Sequence, residues 1–268
     1  LASDSPAILK YAKDIIYPEK GAMQGPESKY YTWFNFTPDG KYEAWWGIEI
    51  LPRLKHDGKG CSEYFLNDDG VIAHYLKKGT AGWRLDVADE LSDSFLDGLK
   101  KAARGAKGDA LVIGEVWENA TEKVAYGKRR KYLRGSQLDS VMNYPLRKGI
   151  MRFELDGDAE FLSDVLESIY STYPKTVCDS LMNILGTHDT ERALTVFGKG
   201  DDETSDEAGS ILANKRLSAE DKSIAIKKMK LATAIQFTVY GVPSVYYGDE
   251  AGVEGYRDPF CRMPYPWG

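Results

Sequence analysis

Gly82-Trp83-Arg84-Leu85-Asp86-Val87-Ala88-Asp89-Glu90 is the stretch on which the fold turns. A short apolar run ends in an arginine and an aspartate two residues apart, and acids and a helical pattern follow. Side chains two apart on a strand share a face, so Arg84 and Asp86 are expected side by side at a strand's C-terminal end. That end is where α/β proteins gather their chemistry. Two further carboxylates close strand-like runs in the same manner: Glu115 in the run 110–116, and Asp189 after the run 182–185.

Working outward, strands are predicted over 82–87, 110–116, 138–142, 181–185 and 242–247. Helices are predicted over 9–16, 64–77, 91–104, 158–173 and 218–237, with a lysine-rich helix after the second strand. Ser218 stands where an N-cap is expected, with Glu220 and Asp221 in the first turn, as the helix dipole favours. Residues 1–60, rich in Gly, Pro, Tyr and Trp, read as an irregular covering segment, and 201–209 as a polar surface loop. Strands alternating with crossover-length helices argue for a parallel sheet covered by helices, either open and doubly wound or most of a (β/α)8 barrel. No Gly-x-Gly-x-x-Gly or Gly-Lys-Ser/Thr loop follows a strand, so the nucleotide functions of an open sheet lack their signals. Acids spread over several strand ends fit the barrel better.

Composition narrows the function. The chain of 268 residues is 43% hydrophobic and 28% charged, which is ordinary for a globular protein. Its net charge of −6 argues against nucleic-acid or anionic-membrane partners. No apolar run approaches the roughly 18 residues of a membrane span. The start, Leu1-Ala2-Ser3-Asp4, reads neither as a signal peptide nor as an initiator methionine. Cys61, Cys178 and Cys261 match neither a zinc spacing nor a disulfide framework, and read as free thiols of a cytoplasmic protein, with an extracellular location as the alternative. Aromatic residues are abundant, with 6 Trp and 17 Tyr. Several stand in loop-like settings, among them Trp45-Trp46-Gly47, Tyr144-Pro145 and Tyr265-Pro266-Trp267, where they could stack on sugar rings or simply plug the mouth of a fold.

Cleaving a glycosidic bond needs one carboxylic acid to protonate the leaving oxygen and one carboxylate to attack the anomeric carbon or activate water. Asp86, Glu115 and Asp189 supply those and a third. Arg84 could keep Asp86 ionised and oriented. An apolar and aromatic setting for Glu115, which precedes Val116-Trp117, would raise its pKa and suit it to be the acid. His188 could bind hydroxyls. Each residue alone has a structural role open to it: a strand-end Asp caps a helix, a strand-end Glu pairs with a cation, a His-Asp pair anchors a loop. Metal-assisted chemistry is the main rival on spacing alone.

These residues resemble the α-amylase superfamily of glycoside hydrolases, and within it the neopullulanase, cyclomaltodextrinase and maltogenic amylase group. Residues 82–86 match the family's fourth-strand motif, which implies that Asp86 is the nucleophile and Arg84 its partner. Gly114-Glu115-Val116-Trp117 matches the fifth-strand motif and implies that Glu115 is the acid/base, with Trp117 beside the substrate. His188-Asp189 with Arg192 matches the seventh-strand motif and implies that Asp189 stabilises the transition state. Residues 241–252 match the motif that closes the eighth strand, continued by Arg257-Asp258-Pro259 and Arg262. Group-specific segments are 51–55, 87–90 and 139–145, the last containing Asn143 and Tyr144. Lys55 and Asp89 replace the group's usual asparagines. The group associates the acid at Glu90 with α-1,6 as well as α-1,4 linkages. Arg84, His188, Glu90, Trp117, Asn143, Tyr144, Arg192 and Trp46 are thus the expected substrate-binding residues.

The resemblance implies a partial (β/α)8 TIM barrel comprising strands four to eight, with 1–60 as a segment of the preceding loop domain and 61–268 as the C-terminal part of the barrel. An Asp-x-x-x-Asn-His motif, which complete members carry at the third strand, does not precede Asp86. The implied activity is retaining hydrolysis, with transglycosylation, of α-1,4 and α-1,6 bonds in maltooligosaccharides, cyclodextrins, pullulan or starch. The alternative is an inactive or weakly α-glucan-binding piece of such an enzyme. No redox or nucleotide cofactor is implied; calcium occurs in parts of the family, and no ligand set for it stands out. Open strand edges imply self-association or complementation by the N-terminal half.

Overall fold

The computed structural model describes residues 20–200 and 207–267. The expected helix over 9–16 and most of the expected loop over 201–209 lie outside the described residues. The chain forms two compact units.

The first unit comprises the chain up to Gly82 together with Glu90–Ala110. From Lys20 to Gly58 the chain forms three single 3-10 turns, Ala22–Gln24, Tyr31–Trp33 and Trp45–Gly47, joined by irregular backbone. Single antiparallel bridges hold it at Phe34–Leu54, Phe36–Tyr42 and Ala44–Pro52, and Tyr31 stacks on Phe36 with ring centroids 4.5 Å apart. The predicted helix over 64–77 is two helices, α1 (Lys59–Leu66) and α2 (Val71–Lys77). Asn67-Asp68-Asp69-Gly70 separates them, a cluster of residues whose short side chains or missing Cβ favour turns. Helix α3 (Asp93–Ala106) begins where Ser92 Oγ accepts the Phe95 N–H at 3.1 Å. It buries Phe95, Leu96, Leu99 and Ala103, one stripe at helical spacing.

The second unit comprises Trp83–Asp89 and the chain from Leu111 onward. Strand β1 (Gly82–Leu85) neighbours β2 (Leu111–Gly114). The next pair, β3 (Val124–Ala125) and β4 (Lys128–Arg129), forms an antiparallel hairpin where the lysine-rich helix was expected. Tyr126 and Gly127, at φ 52° and 72°, make its two-residue turn. A turn with both central residues left-handed matches the twist of the flanking strands and wants glycine. Strand β5 (Ser140–Val141) pairs parallel with β2, and β6 (Met182–Ile184) pairs parallel with β7 (Val242–Ser244). A parallel bridge from Met142 to Met182 links the two sets. Five strands therefore follow one another in chain order, β1-β2-β5-β6-β7, and among the described residues no sheet closes on itself.

Helices cover the row. Residues Tyr144-Pro145, read above as loop, open α4 (Tyr144–Asp156): the Asn143 side chain caps it, and proline suits a first turn whose N–H has no helical partner. Asp158 caps α5 (Ala159–Thr172), and a single turn, α6 (Lys175–Cys178), leads into β6. After β6 come α7 (Ala193–Lys199), the short α8 (Gly209–Leu212) and α9 (Ala219–Thr238). Ser218 Oγ accepts the Asp221 N–H at 3.1 Å, the cap expected from the sequence. The buried Gln236 amide donates to the carbonyls of Asn183 and Ser244, pinning α9 to β6 and β7. Gly241 enters β7 at φ 118°, where a Cβ would lie 2.8 Å from the Leu181 carbonyl oxygen. The core around the strand ends is Met142, Tyr144 and Ile184, with Ile113 and Met182 packed against it. The three cysteines are free and buried.

Candidate active site

The strand ends of the second unit assemble a carboxylate cluster. Arg84 and Asp86 share a face as expected: Arg84 Nη1 donates to Asp86 Oδ1 at 2.5 Å. The same guanidinium reaches the end of the neighbouring strand, its Nη2 lying 3.0 Å from Glu115 Oε2. The Asp86 side chain is 76% exposed, whereas that of Glu115 is 5% exposed. One carboxylate is thus open to a ligand and the other is enclosed.

Glu115 is held by further donors. Its Oε2 accepts the Val87 N–H at 2.8 Å, and its Oε1 accepts the Trp117 indole N–H at 3.0 Å. The apolar setting expected for Glu115 is therefore not what its oxygens meet. The aromatic part of that expectation does hold, because Trp117 stacks on Tyr144 with centroids 4.0 Å apart and planes within 13°. Val87 delivers its N–H from φ 38°, the left-handed region that a β-branched residue strongly disfavours. Burial pushes the Tyr144 phenol up to about 12; Thr187 opposes the rise, and the charges of Glu115 and Asp189 add to it.

Asp189 and His188 follow β6. His188 Nε2 lies 3.1 Å from Asp189 Oδ2, and Arg262 Nη2 donates to Asp189 Oδ1 at 3.4 Å. Partial burial raises the Asp189 carboxyl above the ordinary carboxylate range. His188 opposes this, nearby Glu115 reinforces it, and Arg262 and Arg84 lower it again. The His188 carbonyl accepts from Arg262 Nε at 3.0 Å and from the Cys261 thiol at 3.2 Å. Arg262 thus clamps both members of the His-Asp pair, although sequence reasoning placed it only within the closing motif. Thr187 and the Val87 N–H were also missed; a hydroxyl and a backbone donor leave no motif of their own.

The remaining expected residues have other settings. Asn143 is buried, its oxygen capping α4 and its amide donating to Asn183 Oδ1 at 2.9 Å. Arg192 is fully buried, donating through Nε to the Cys261 carbonyl at 2.7 Å and through Nη1 to the Tyr247 carbonyl and to Asp249 Oδ1. It lies over the rings of Tyr246 and Tyr247. Glu90 and Trp46 pair within the first unit, where the Trp46 indole N–H donates to Glu90 Oε1 at 3.2 Å and Arg53 Nη2 stands 3.8 Å from Glu90 Oε2. Trp46 is 73% exposed and stacks on Trp45. Among the described residues no group of three or more His, Cys, Asp or Glu is placed to hold a metal ion, and no helix is long and apolar enough to cross a membrane.

The family described as alpha amylase, catalytic domain, matches residues 27–263. An amylopullulanase of Thermoanaerobacter thermohydrosulfuricus is 35% identical over 298 aligned positions, covering all of this chain and 19% of that protein. Neopullulanase 2 of Thermoactinomyces vulgaris is 31% identical, with 97% of this chain and 40% of that protein covered. Among solved structures, a cyclic α-maltosyl-(1→6)-maltose hydrolase from Arthrobacter globiformis superposes with a TM-score of 0.73 at 27% identity, over 99% of this chain and 52% of that one. The chain therefore spans at most about half the length of these relatives.

Proposed function

The chain belongs to the alpha-amylase family of glycoside hydrolases, in the group of neopullulanases, cyclomaltodextrinases and maltogenic amylases, and from that premise we propose that it carries the catalytic carboxylates of a retaining α-glucan hydrolase. In this reading β1, β2, β5, β6 and β7 are barrel strands four to eight. Residues 1–60 belong to the preceding loop domain and 61–268 to the barrel.

Glu115 gives its proton to the glycosidic oxygen while Asp86 Oδ attacks the anomeric carbon. The C1–Oδ bond forms, the C1–O bond to the leaving sugar breaks, and the leaving sugar departs with the proton. Glu115, now a carboxylate, takes a proton from water as the water oxygen attacks C1 and releases Asp86. A sugar hydroxyl in place of water gives transglycosylation. Asp189, clamped by Arg262 and His188, holds hydroxyls and faces the positive charge that develops on the ring. The stacked Trp117–Tyr144 pair offers an exposed indole against which a sugar can pack.

The observation that carries this reading is Arg84, which touches both the Asp86 and the Glu115 carboxylates. One guanidinium bridging both keeps the two carboxyls side by side at neighbouring strand ends, where acid and nucleophile must flank the same bond. The substrates proposed are maltooligosaccharides, cyclodextrins and pullulan. The names of the amylopullulanase and of the maltosyl-(1→6)-maltose hydrolase favour α-1,6 bonds beside α-1,4 bonds, with Glu90 as the acid that the group associates with linkage. The test is product analysis on panose, maltotriose and β-cyclodextrin with the Asp86→Asn variant as control. Turnover by the parent chain alone supports the reading. Saturable α-glucan binding with turnover no higher than the control would mean that this chain is a glucan-binding portion of such an enzyme.

A further inference from the structure

Lys128, Arg129, Arg130, Lys131 and Arg134 crowd into seven residues of a chain whose net charge is −6. Four of them, Arg129, Arg130, Lys131 and Arg134, line one cavity of 250 Å³ that Thr121 and Tyr132 also border, and no carboxylate is among its lining residues. Two of the cations are held in place. Arg129 Nη2 donates to the Thr121 carbonyl at 3.2 Å. Arg130 is buried, donates to the Asp89 carbonyl at 3.2 Å and lies 4.9 Å over the Tyr132 ring. Lys131 and Arg134 are exposed and make no ion pair among the described residues.

Like charges brought together around a concavity repel one another, and a bound anion relieves that repulsion. Guanidinium groups match phosphate oxygens two at a time, and they outnumber lysine here three to one. The cavity is a small, open concavity of 250 Å³, a size that suits a compact dianion; a polymer needs a track of cations along a surface, and the negative net charge opposes one. We propose that this cavity binds a phosphate monoester of small-molecule size. The site stands whether or not the hydrolase reading does, because no residue of the carboxylate cluster lines it.

Its occupant would act on the segment after Asp86. Asp89 is fixed by the same neighbourhood: its backbone carbonyl by Arg130, its Oδ1 by the Tyr132 hydroxyl at 2.5 Å, and its Oδ2 by Lys123 at 2.9 Å. An anion that steadies Arg130 therefore steadies the Asp89 backbone, three residues after Asp86.

The experiment is calorimetric titration of the full chain at low salt with glucose 6-phosphate and with inorganic phosphate, with glucose and chloride at matched ionic strength as controls. Both phosphates are expected to bind saturably at one site, the ester at least as tightly as the free ion. An Arg129→Ala/Arg134→Ala variant, altered at exposed positions, should bind the ester at least tenfold more weakly, and Lys131→Gln should weaken it less. The proposal is overturned if chloride reproduces the heat, if the double variant keeps its affinity, or if a short single-stranded oligonucleotide binds more tightly than the ester.

Discussion

The backbone N–H of Val87 donates to Glu115 Oε2 at 2.8 Å, from a residue held at φ 38°. The residue directly after Asp86 is thus bent into a disfavoured conformation and reaches the carboxylate of the neighbouring strand. Strain of this kind costs on the order of 1–3 kcal/mol and persists where the surroundings impose it. Asparagine tolerates the left-handed region far better than valine. Val87→Asn should therefore raise unfolding free energy by about 1 kcal/mol in urea titrations. A loss of stability would mean that the Val87 side chain contributes more by packing than its backbone costs.

Arg84 is the shared cation of Asp86 and Glu115. Replacing it with methionine keeps the stem and removes the charge, leaving two carboxylates to repel each other. Turnover of β-cyclodextrin should fall by roughly 10²–10³, the scale of losing a preorganised electrostatic group. The circular dichroism spectrum should not change. Activity within a factor of a few of the parent would remove Arg84 from the account.

Trp117 has two separable jobs, stacking on Tyr144 and donating to Glu115. Trp117→Phe keeps the first and loses the second, whereas Trp117→Ala loses both. A hydrogen bond is worth about 0.5–1.5 kcal/mol net, so Trp117→Phe should lower kcat by a few-fold to about tenfold. Trp117→Ala should in addition raise KM. Equal kinetic effects of the two variants would mean that the stack adds nothing to sugar binding.

Asp249 gives a pH dependence with a defined sign. Burial lifts its carboxyl to about 6, against the opposing pull of the Arg192 guanidinium. The unfolded chain has the ordinary value near 3.9. The folded state therefore binds this proton more tightly, and the stability it contributes is complete below about pH 4 and lost as pH rises through 6. Between pH 7 and pH 5 this group alone should add about 1 kcal/mol to the unfolding free energy. Subtracting the pH profile of Asp249→Asn from that of the parent should isolate the increment, and identical profiles would contradict it.

Much of this was legible in the sequence, because strand ends carry their chemistry in a fixed phase. The two-residue spacing of Arg84 and Asp86 predicted a shared face, and the two side chains touch. Five strands were expected and five follow in chain order. The errors have local causes. The lysines after the second strand suggested a helix, but Gly127 accepts the left-handed turn of a hairpin, and Tyr126 is held at φ 52° beside it. Tyr144-Pro145 looked like loop because proline ends helices more visibly than it begins them. Asn143 and Arg192 carry the family's pattern, yet each is buried with hydrogen bonds to the fold: Asn143 caps a helix, and Arg192 ties the chain after β7 to α7. Arg262 was invisible as a site residue because its partners, His188 and Asp189, lie more than 70 positions earlier in the chain.

The central claim is that Asp86 forms the covalent bond to the sugar. The direct measurement is mass spectrometry of the Glu115→Gln variant after exposure to α-maltosyl fluoride. Fluoride leaves without a proton donor, so the first step proceeds, while the missing base stalls the second. A maltosyl adduct on the peptide containing Asp86, absent from the Asp86→Asn/Glu115→Gln variant, is the result predicted. An adduct at another carboxylate, or fluoride release with inversion at C1 and no adduct, would contradict it.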